Sequence, residues 1–248
     1  MNPAGAATQD VRAINQRFYD RLWSRARLIA PERFNTWPLV ESLLDHHPRR
    51  LEIAPGMRPR LPIRGTTFVD ISQHALKALR DQGGSTELAE LNQLPFAEAS
   101  FDFVALLDVV EHVEDDAGAL SEVARVLRPN GRFLLSVPLH PANWTAFDAI
   151  VGHYRRYSPS EIRSLLQEAN LRIDQSAIYG MKPKTTWLVR IGMWFLENQP
   201  KRAMRWYNRV MPFVLRRQQP LSFVEGLIDD PEVDEVIILG TRTEGSAD

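Results

Sequence analysis

A chain of 248 residues with 44% apolar and 25% charged side chains suffices for one α/β domain with a full core and some decoration. Its formal net charge of −1 gives no polyelectrolyte bias toward nucleic acid, so no nucleic-acid partner is expected. The lack of cysteine excludes disulfides, thiolate metal sites and a cysteine nucleophile.

Met1–Asp10 lacks the basic-then-apolar pattern of a secretory signal, and no apolar run approaches the roughly 20 residues that span a bilayer, so a cytoplasmic protein is expected. From residue 10 to 47 the spacing predicts two helices. Val11, Ile14, Phe18, Leu22 and Trp23 recur at helical intervals, as do Leu39, Val40, Leu43 and Leu44, with Pro31 and Pro38 as punctuation. A different rhythm follows. Short apolar runs at Arg50–Pro55, Thr66–Ile71, Phe101–Leu107 and Arg132–Val137, with a weaker one at Thr86–Leu91, read as strands. Helical patterns lie between or after them at Gln73–Asp81, Asp116–Leu127 and Pro159–Ala169. The last opens on Ser158-Pro159 with Glu161 three residues after Ser158, a capping box with proline at the first helical position. Leu171–Tyr179 and Asp234–Thr241 complete the strands. Residues 181–232 are aromatic-rich and helical, with breaks expected at Pro183, Pro200, Pro212 and Pro220. Strands alternating with helices imply a parallel sheet covered on both faces. The chain thus divides into an N-terminal helical cap (1–49), a core (50–180), a helical lid or insertion (181–232) and a last core strand with its tail (233–248).

In an open α/β sheet ligands bind beyond the carboxyl ends of the strands. Strand one ends Glu52-Ile53-Ala54-Pro55-Gly56, where glycine lets the backbone approach a ligand. Strand two ends at Asp70-Ile71: an acid able to accept from two ribose hydroxyls, then an apolar side chain able to cover a purine. The third run ends at Glu90-Leu91 and the fourth at Asp108. Each feature alone also reads as a turn or a helix cap; their order and spacing together point to a nucleotide-like ligand.

The block LPFAEASFDFVALLDVVEHVED, followed by EVARVLRPNGRFLLSVP and GHYRRYSPSEIRSLLQEANL, resembles the class I S-adenosylmethionine-dependent methyltransferases, in particular the small-molecule group that includes the ubiquinone-biosynthesis type. The resemblance implies a Rossmann-like, mostly parallel seven-stranded sheet with an antiparallel last strand. It implies S-adenosylmethionine as cofactor and S-adenosylhomocysteine as product. By position, Ala54 and Gly56 would hold the methionyl part and Asp70 the ribose. Ile71, Glu90 and Leu91 would meet the adenine, Asp108 would lie near the methionine amino group, and Glu52 would orient the loop through its backbone or water. The family's glycine-rich loop keeps only its middle glycine here: Ala54 and Arg58 stand where two others would be. Only Met57–Gly65, with Pro59 and Pro62, separates strands one and two, so a shortened, irregular first crossover is expected. That removes a helix N-terminus from the anionic end of the cofactor, a charge that Arg58 or Arg60 could supply. Both arginines read equally well as solvated.

The resemblance implies methyl transfer to a small-molecule or lipid-linked acceptor, with an oxygen of a natural-product, sugar or quinone-type compound as the expected target. The alternative is a protein of this fold without methyl transfer: a binding module, or an S-adenosylmethionine-binding enzyme of another reaction class. His153, His140 and His112, near strand ends, are the general-base candidates, each with a plain packing or solvent reading beside it. Tyr19, Trp23, Tyr154 and Trp187 are candidates for acceptor contacts. Residues 181–220 carry nine Lys or Arg against Glu197 alone, which fits either the wet face of a lid or peripheral contact with an anionic membrane. No clustered ligands are evident in the spacing, so no metal is expected.

Overall fold

The structure is a computed structural model that describes residues 11, 13–19, 22–180, 191–192, 194–195 and 198–244. Among the described residues eight strands form one sheet: β1 (Arg50–Ile53), β2 (Thr66–Asp70), β3 (Ser85–Leu88), β4 (Phe101–Leu107), β5 (Leu127–Pro138), β6 (Leu171–Ile178), β7 (Val224–Glu225) and β8 (Glu235–Arg242). Their order is β3-β2-β1-β4-β5-β8-β6-β7. The first five are mutually parallel, and β8 runs antiparallel to both β5 and β6. The seven expected strands are therefore present with the expected antiparallel last strand. The eighth, two-residue β7, extends the edge beside β6.

Burial on both faces explains why the central strands read as unbroken apolar runs. Side chains of β4 alternate between the two layers. Val104 and Leu106 join Leu51, Ile53, Leu120, Val123, Ile162 and Leu166 in one cluster, while Phe103 and Ala105 join Val40, Leu61, Leu134 and Ile237 in the other. The first layer holds α3 (Asp116–Val126) and α5 (Pro159–Glu168); the second holds α1 (Trp37–Leu44). Ser158 and Glu161 form the expected capping box of α5. Helix α2 (Gln73–Asp81) is capped by Ser72, whose hydroxyl accepts from the Ala75 amide, and packs Leu76 and Leu79 on Phe68. A short helix, α4 (Ala146–Val151), ends at Gly152 in the left-handed region. Helix α6 (Pro200–Arg216) runs through Pro212, where a break was expected; its buried Met204 and Leu215 hold both sides of the proline against the rest of the molecule. Among the described residues no helix is long and apolar enough to cross a membrane.

Between β1 and β2 the chain is irregular, as the two prolines require. A buried carboxylate organises it. Glu52 Oε1 accepts from the Arg60 amide at 2.8 Å and Oε2 from the Leu61 amide at 2.9 Å, a direct side-chain clamp rather than one through backbone or water. The clamp drops Leu61 into the core. Arg60 is not solvated: its guanidinium stacks on Phe34 at 3.7 Å and donates to the Tyr179 hydroxyl at 3.1 Å. Burial lifts the Glu52 carboxyl from 4.5 to about 7, against the pull of the two amides and Arg60. A carboxyl raised on folding contributes stability that is full below pH 4.5 and lost as pH rises through about 7. Glu52→Gln turns an NH2 toward one backbone amide and costs about 1–3 kcal/mol near pH 5. The cost shrinks by pH 8, where the wild type has lost its protonation-linked share. Denaturant unfolding of both proteins at the two pH values measures it, and an equal cost at both contradicts the shifted carboxyl.

Candidate active site

Sheet order brings the ends of β2, β1 and β4 side by side, with Ile53 in register with Val69 and with Leu106. The loop after β1 bends immediately. Ala54 and Gly56 both lie in the left-handed region, at φ 51° and 54°. The Gly56 amide donates to Asp70 Oδ2 at 3.0 Å, and the Ser72 amide to Oδ1 at 2.7 Å. Asp70 is buried, with both oxygens turned toward the loop after β1 and the start of α2. Ile71, the next residue, is 48% exposed, an apolar side chain left open beside a buried acid. Across the sheet, Asp108 stands at φ 56°, with its carboxylate fixed by the Ser136 hydroxyl at 2.7 Å. Strand β3 ends at Leu88, so Glu90 and Leu91 fall in the following turn, Glu90 exposed and Leu91 in the core cluster.

The N-terminal segment covers the glycine loop. A Cβ added at Gly56 would lie 2.3 Å from Trp23 Cε2, so the indole rests directly on this glycine. Tyr19 stacks on Trp23 at 5.6 Å. Arg58 lies between two rings, 5.7 Å from the Trp23 centroid and 5.2 Å from that of Tyr207, and donates to the Tyr207 hydroxyl at 2.6 Å. Arg58 thereby ties α6 to the loop, and Met204 of α6 enters the same apolar cluster as Leu22, Trp23 and Met57. Ala54 occupies a conformation that costs a side chain about 1–2 kcal/mol. Ala54→Gly therefore leaves stability level or raises it by up to about 1 kcal/mol. Gly56→Ala lowers it by roughly 1–3 kcal/mol through the contact with Trp23. Thermal unfolding of the two variants reads the opposite signs.

A second group of polar side chains forms where the turn after β4 meets the loop after α4. The Tyr154 amide donates to the Glu111 carbonyl at 2.8 Å, and His112 Nδ1 lies 3.0 Å from the Gly152 carbonyl. These contacts bring the His112 and His153 rings to 4.5 Å, edge to face. His153 Nδ1 lies 2.9 Å from Asp148 Oδ1, and its Nε2 lies 3.8 Å from Glu111 Oε1. Asp148 is fully buried and is held by Thr145 and the buried guanidinium of Arg156. Asn15 reaches His112 and the Val151 carbonyl, and the Tyr19 hydroxyl lies 3.3 Å from His112 Nε2. Burial raises the Tyr19 phenol well above its ordinary range, with Glu111 and Asp108 adding to the effect. Tyr19 is thus a link between the glycine loop and this second group.

His112 and His153 are brought together; His140 is not part of the pair, its Nε2 lying 2.9 Å from the Asp230 carbonyl. Tyr154 serves this region through its backbone amide, and Trp187 lies outside the described residues. Against the expectation of no clustered ligands, one ligand atom each of Glu111, His112 and His153 lie within 4.8 Å of one another. Sequence reasoning passed over Glu111 and Asp148. Glu111 had a signal in its adjacency to His112, and Asp148 in the Thr145-to-Asp148 capping box.

A model of the methyltransferase domain family matches residues 56–135. A probable S-adenosylmethionine-dependent methyltransferase of Mycolicibacterium smegmatis is 36% identical over 90 residues, 35% of this chain and 34% of that protein. A ubiquinone/menaquinone biosynthesis C-methyltransferase of Desulfotalea psychrophila is 30% identical over 98 residues, 39% of this chain and 40% of that protein. The matched stretches span about a third to about half of the length of such curated relatives, from 34% to 56%. Among solved structures, an S-adenosylmethionine-dependent methyltransferase of Thermotoga maritima, described as a possible histamine N-methyltransferase, superposes with a TM-score of 0.60 at 17% identity. It covers 94% of this chain and all of that one. At that identity the likeness speaks for the fold.

Proposed function

We propose that this chain, which matches a methyltransferase-domain model over residues 56–135 and shares the fold of an S-adenosylmethionine-dependent methyltransferase, transfers a methyl group from S-adenosylmethionine to an oxygen of a small or lipid-linked acceptor of natural-product, sugar or quinone type. The observation that carries the reading is the pairing at the end of β2: a buried acid beside an exposed isoleucine, facing a loop with no side chain at Gly56. That donor set fits an adenosyl group. Asp70 would accept from the ribose hydroxyls, Ile71 would cover the purine, and Glu90 with Leu91 would border its edge. Ala54 and Gly56 would hold the methionyl part through their backbone, and Asp108 would meet its amino group. Bound there, the sulfonium supplies an activated methyl and a good leaving group.

The chain's own contribution is positioning and exclusion of water. In-line alignment of two reactants supports roughly 7–11 kcal/mol of barrier reduction. Trp23 and Tyr19 roof the loop after β1, and the Glu111–His112–His153 group, reached through Tyr19, is where an acceptor hydroxyl loses its proton. Asp148, paired with Arg156, fixes the orientation of the His153 ring. Incubating the protein with methyl-labelled S-adenosylmethionine and panels of hydroxylated quinones, sugars and lipid-linked acceptors tests the reading. Label moving to an acceptor oxygen is the expected outcome. Cofactor binding without transfer to any acceptor class favours the non-methylating alternative. Asp70→Asn removes the charge from the ribose contact and weakens cofactor binding by at least about tenfold, as loss of one charge-assisted bond requires; calorimetric titration measures it.

The lipid-linked option rests on α6. Its inner stripe, Met204, Tyr207 and Leu215, packs on the body, while Trp206 (70% exposed), Val210, Phe213 (60% exposed) and Val214 form a second apolar stripe that faces solvent. Arg202, Arg205, Arg209 and Arg216 are exposed in a row beside it at 100° per residue. A lid whose outer face is apolar and cationic suits an anionic membrane surface, where such a helix lies in the headgroup plane. The protein is expected to float with liposomes containing anionic lipid, to release as salt rises, and to lose flotation in Trp206→Ser/Phe213→Ser. Binding that is absent, or indifferent to both salt and these changes, removes the membrane from the account.

A further inference from the structure

We propose that Glu111, His112 and His153 form a binding site for a divalent transition-metal cation at the acceptor side of the domain. One ligand atom from each residue lies within 4.8 Å of the others. Ligands held at about 2.0–2.2 Å around a tetrahedral ion are roughly 3.4 Å apart, so side-chain shifts of about an ångström close the set. Glu111 and His153 are buried and His112 is half-buried, with the Tyr19 hydroxyl 3.3 Å from His112 Nε2. Three protein ligands leave the fourth position of a tetrahedral ion for an exogenous oxygen, beside the Tyr19 hydroxyl.

The surrounding groups orient the imidazoles as a metal requires. The buried Asp148 carboxylate accepts a hydrogen bond from His153 Nδ1–H, which places the unprotonated Nε2 3.8 Å from Glu111 Oε1. His112 Nδ1 has two neighbours that ask for opposite tautomers: the Gly152 carbonyl at 3.0 Å, which needs a proton on Nδ1, and the Asn15 amide at 2.6 Å, which needs none. A cation drawing on Nε2 settles the matter toward Gly152, and Asn15 turns its oxygen or keeps its bond to the Val151 carbonyl. Two tethered imidazoles and one carboxylate select borderline ions such as Zn²⁺, Co²⁺, Mn²⁺ or Fe²⁺ over Mg²⁺ and Ca²⁺, which favour oxygen ligands throughout. Rigid tethering comes from the Tyr154–Glu111 backbone bond and from the left-handed Gly152, where a Cβ would strike Asn15 at 2.8 Å.

The metal's use would be to bind the acceptor oxygen and favour its deprotonated form. That use rests on the methyl-transfer reading; the binding itself does not. The test is therefore made first without cofactor. Metal-stripped full-length protein is titrated with Co²⁺, followed by visible absorption, and with Zn²⁺, followed by calorimetry. One saturable equivalent is expected, with cobalt bands of mixed nitrogen and oxygen coordination. Glu111→Gln and His153→Ala should each weaken it at least tenfold, Asp148→Asn should weaken it about 10–100-fold by loosening the ring, and the exposed His74→Ala should leave it unchanged. Circular dichroism and the unfolding midpoint establish that each variant folds, and Glu111→Gln, nearly isosteric, keeps the test decisive if Asp148→Asn does not. Absence of saturable binding in the wild type, or equal binding in Glu111→Gln and His153→Ala, overturns the site. If cobalt binds as expected but no acceptor is methylated with or without metal, the site stands and the methyl-transfer reading fails alone.

Discussion

Two backbone amides, those of Arg60 and Leu61, point at a carboxylate that is almost wholly removed from water. Much of the strand-end edge at the candidate site depends on that clamp. In a parallel sheet the link from one strand to the next normally contains a helix, which covers the sheet and aims its first amides at the ligand. Here the link is too short and too rich in proline to form one. Glu52 substitutes for the helix by holding an irregular loop so that Leu61 enters the core and Arg60 braces Phe34 and Tyr179. Asp70 does the same one strand over, taking the amides of Gly56 and Ser72. Two acids thus replace an element of secondary structure, and the cost of burying Glu52 appears in its displaced titration.

With no helix to cover it, the loop is covered from outside. The N-terminal segment lays Trp23 on Gly56, stacks Tyr19 behind it and sends Asn15 to His112 and Val151. The same few turns therefore touch both halves of the candidate site. Helix α6 closes the arrangement by burying Met204 against this segment and engaging Arg58 through Tyr207. Trp23 lies over Gly56, and Tyr19, stacked on Trp23, reaches His112 with its hydroxyl.

The core was legible because its signals are local. Phe101–Leu107 and Gln73–Asp81 coincide in sequence pattern and structure, since a doubly buried strand and an amphipathic helix each write their period into consecutive residues. The shortened crossover was legible from Pro59 and Pro62. The Glu111–His112–His153 group was not, because its third member lies 41 residues from His112 and arrives through backbone bonds at Tyr154 and Gly152 that only the folded chain makes. Arg58 and Arg60 showed charge in the sequence but not direction: one ended between aromatic rings and the other in the interior. Pro212 read as a break because local propensity was weighed without the packing of Met204 and Leu215 that holds the helix through it.

The central claim is that a loop clamped by Glu52 and Asp70, and roofed by the N-terminal segment, still receives the methionyl end of the cofactor. Hydrogen–deuterium exchange of the full chain with and without S-adenosylhomocysteine tests it most directly. The account predicts saturable slowing in the peptides that contain Gly56 and Ser72 and in those spanning residues 13–26. Unchanged exchange in all of them at saturating ligand, or slowing confined to a distant surface, would contradict it.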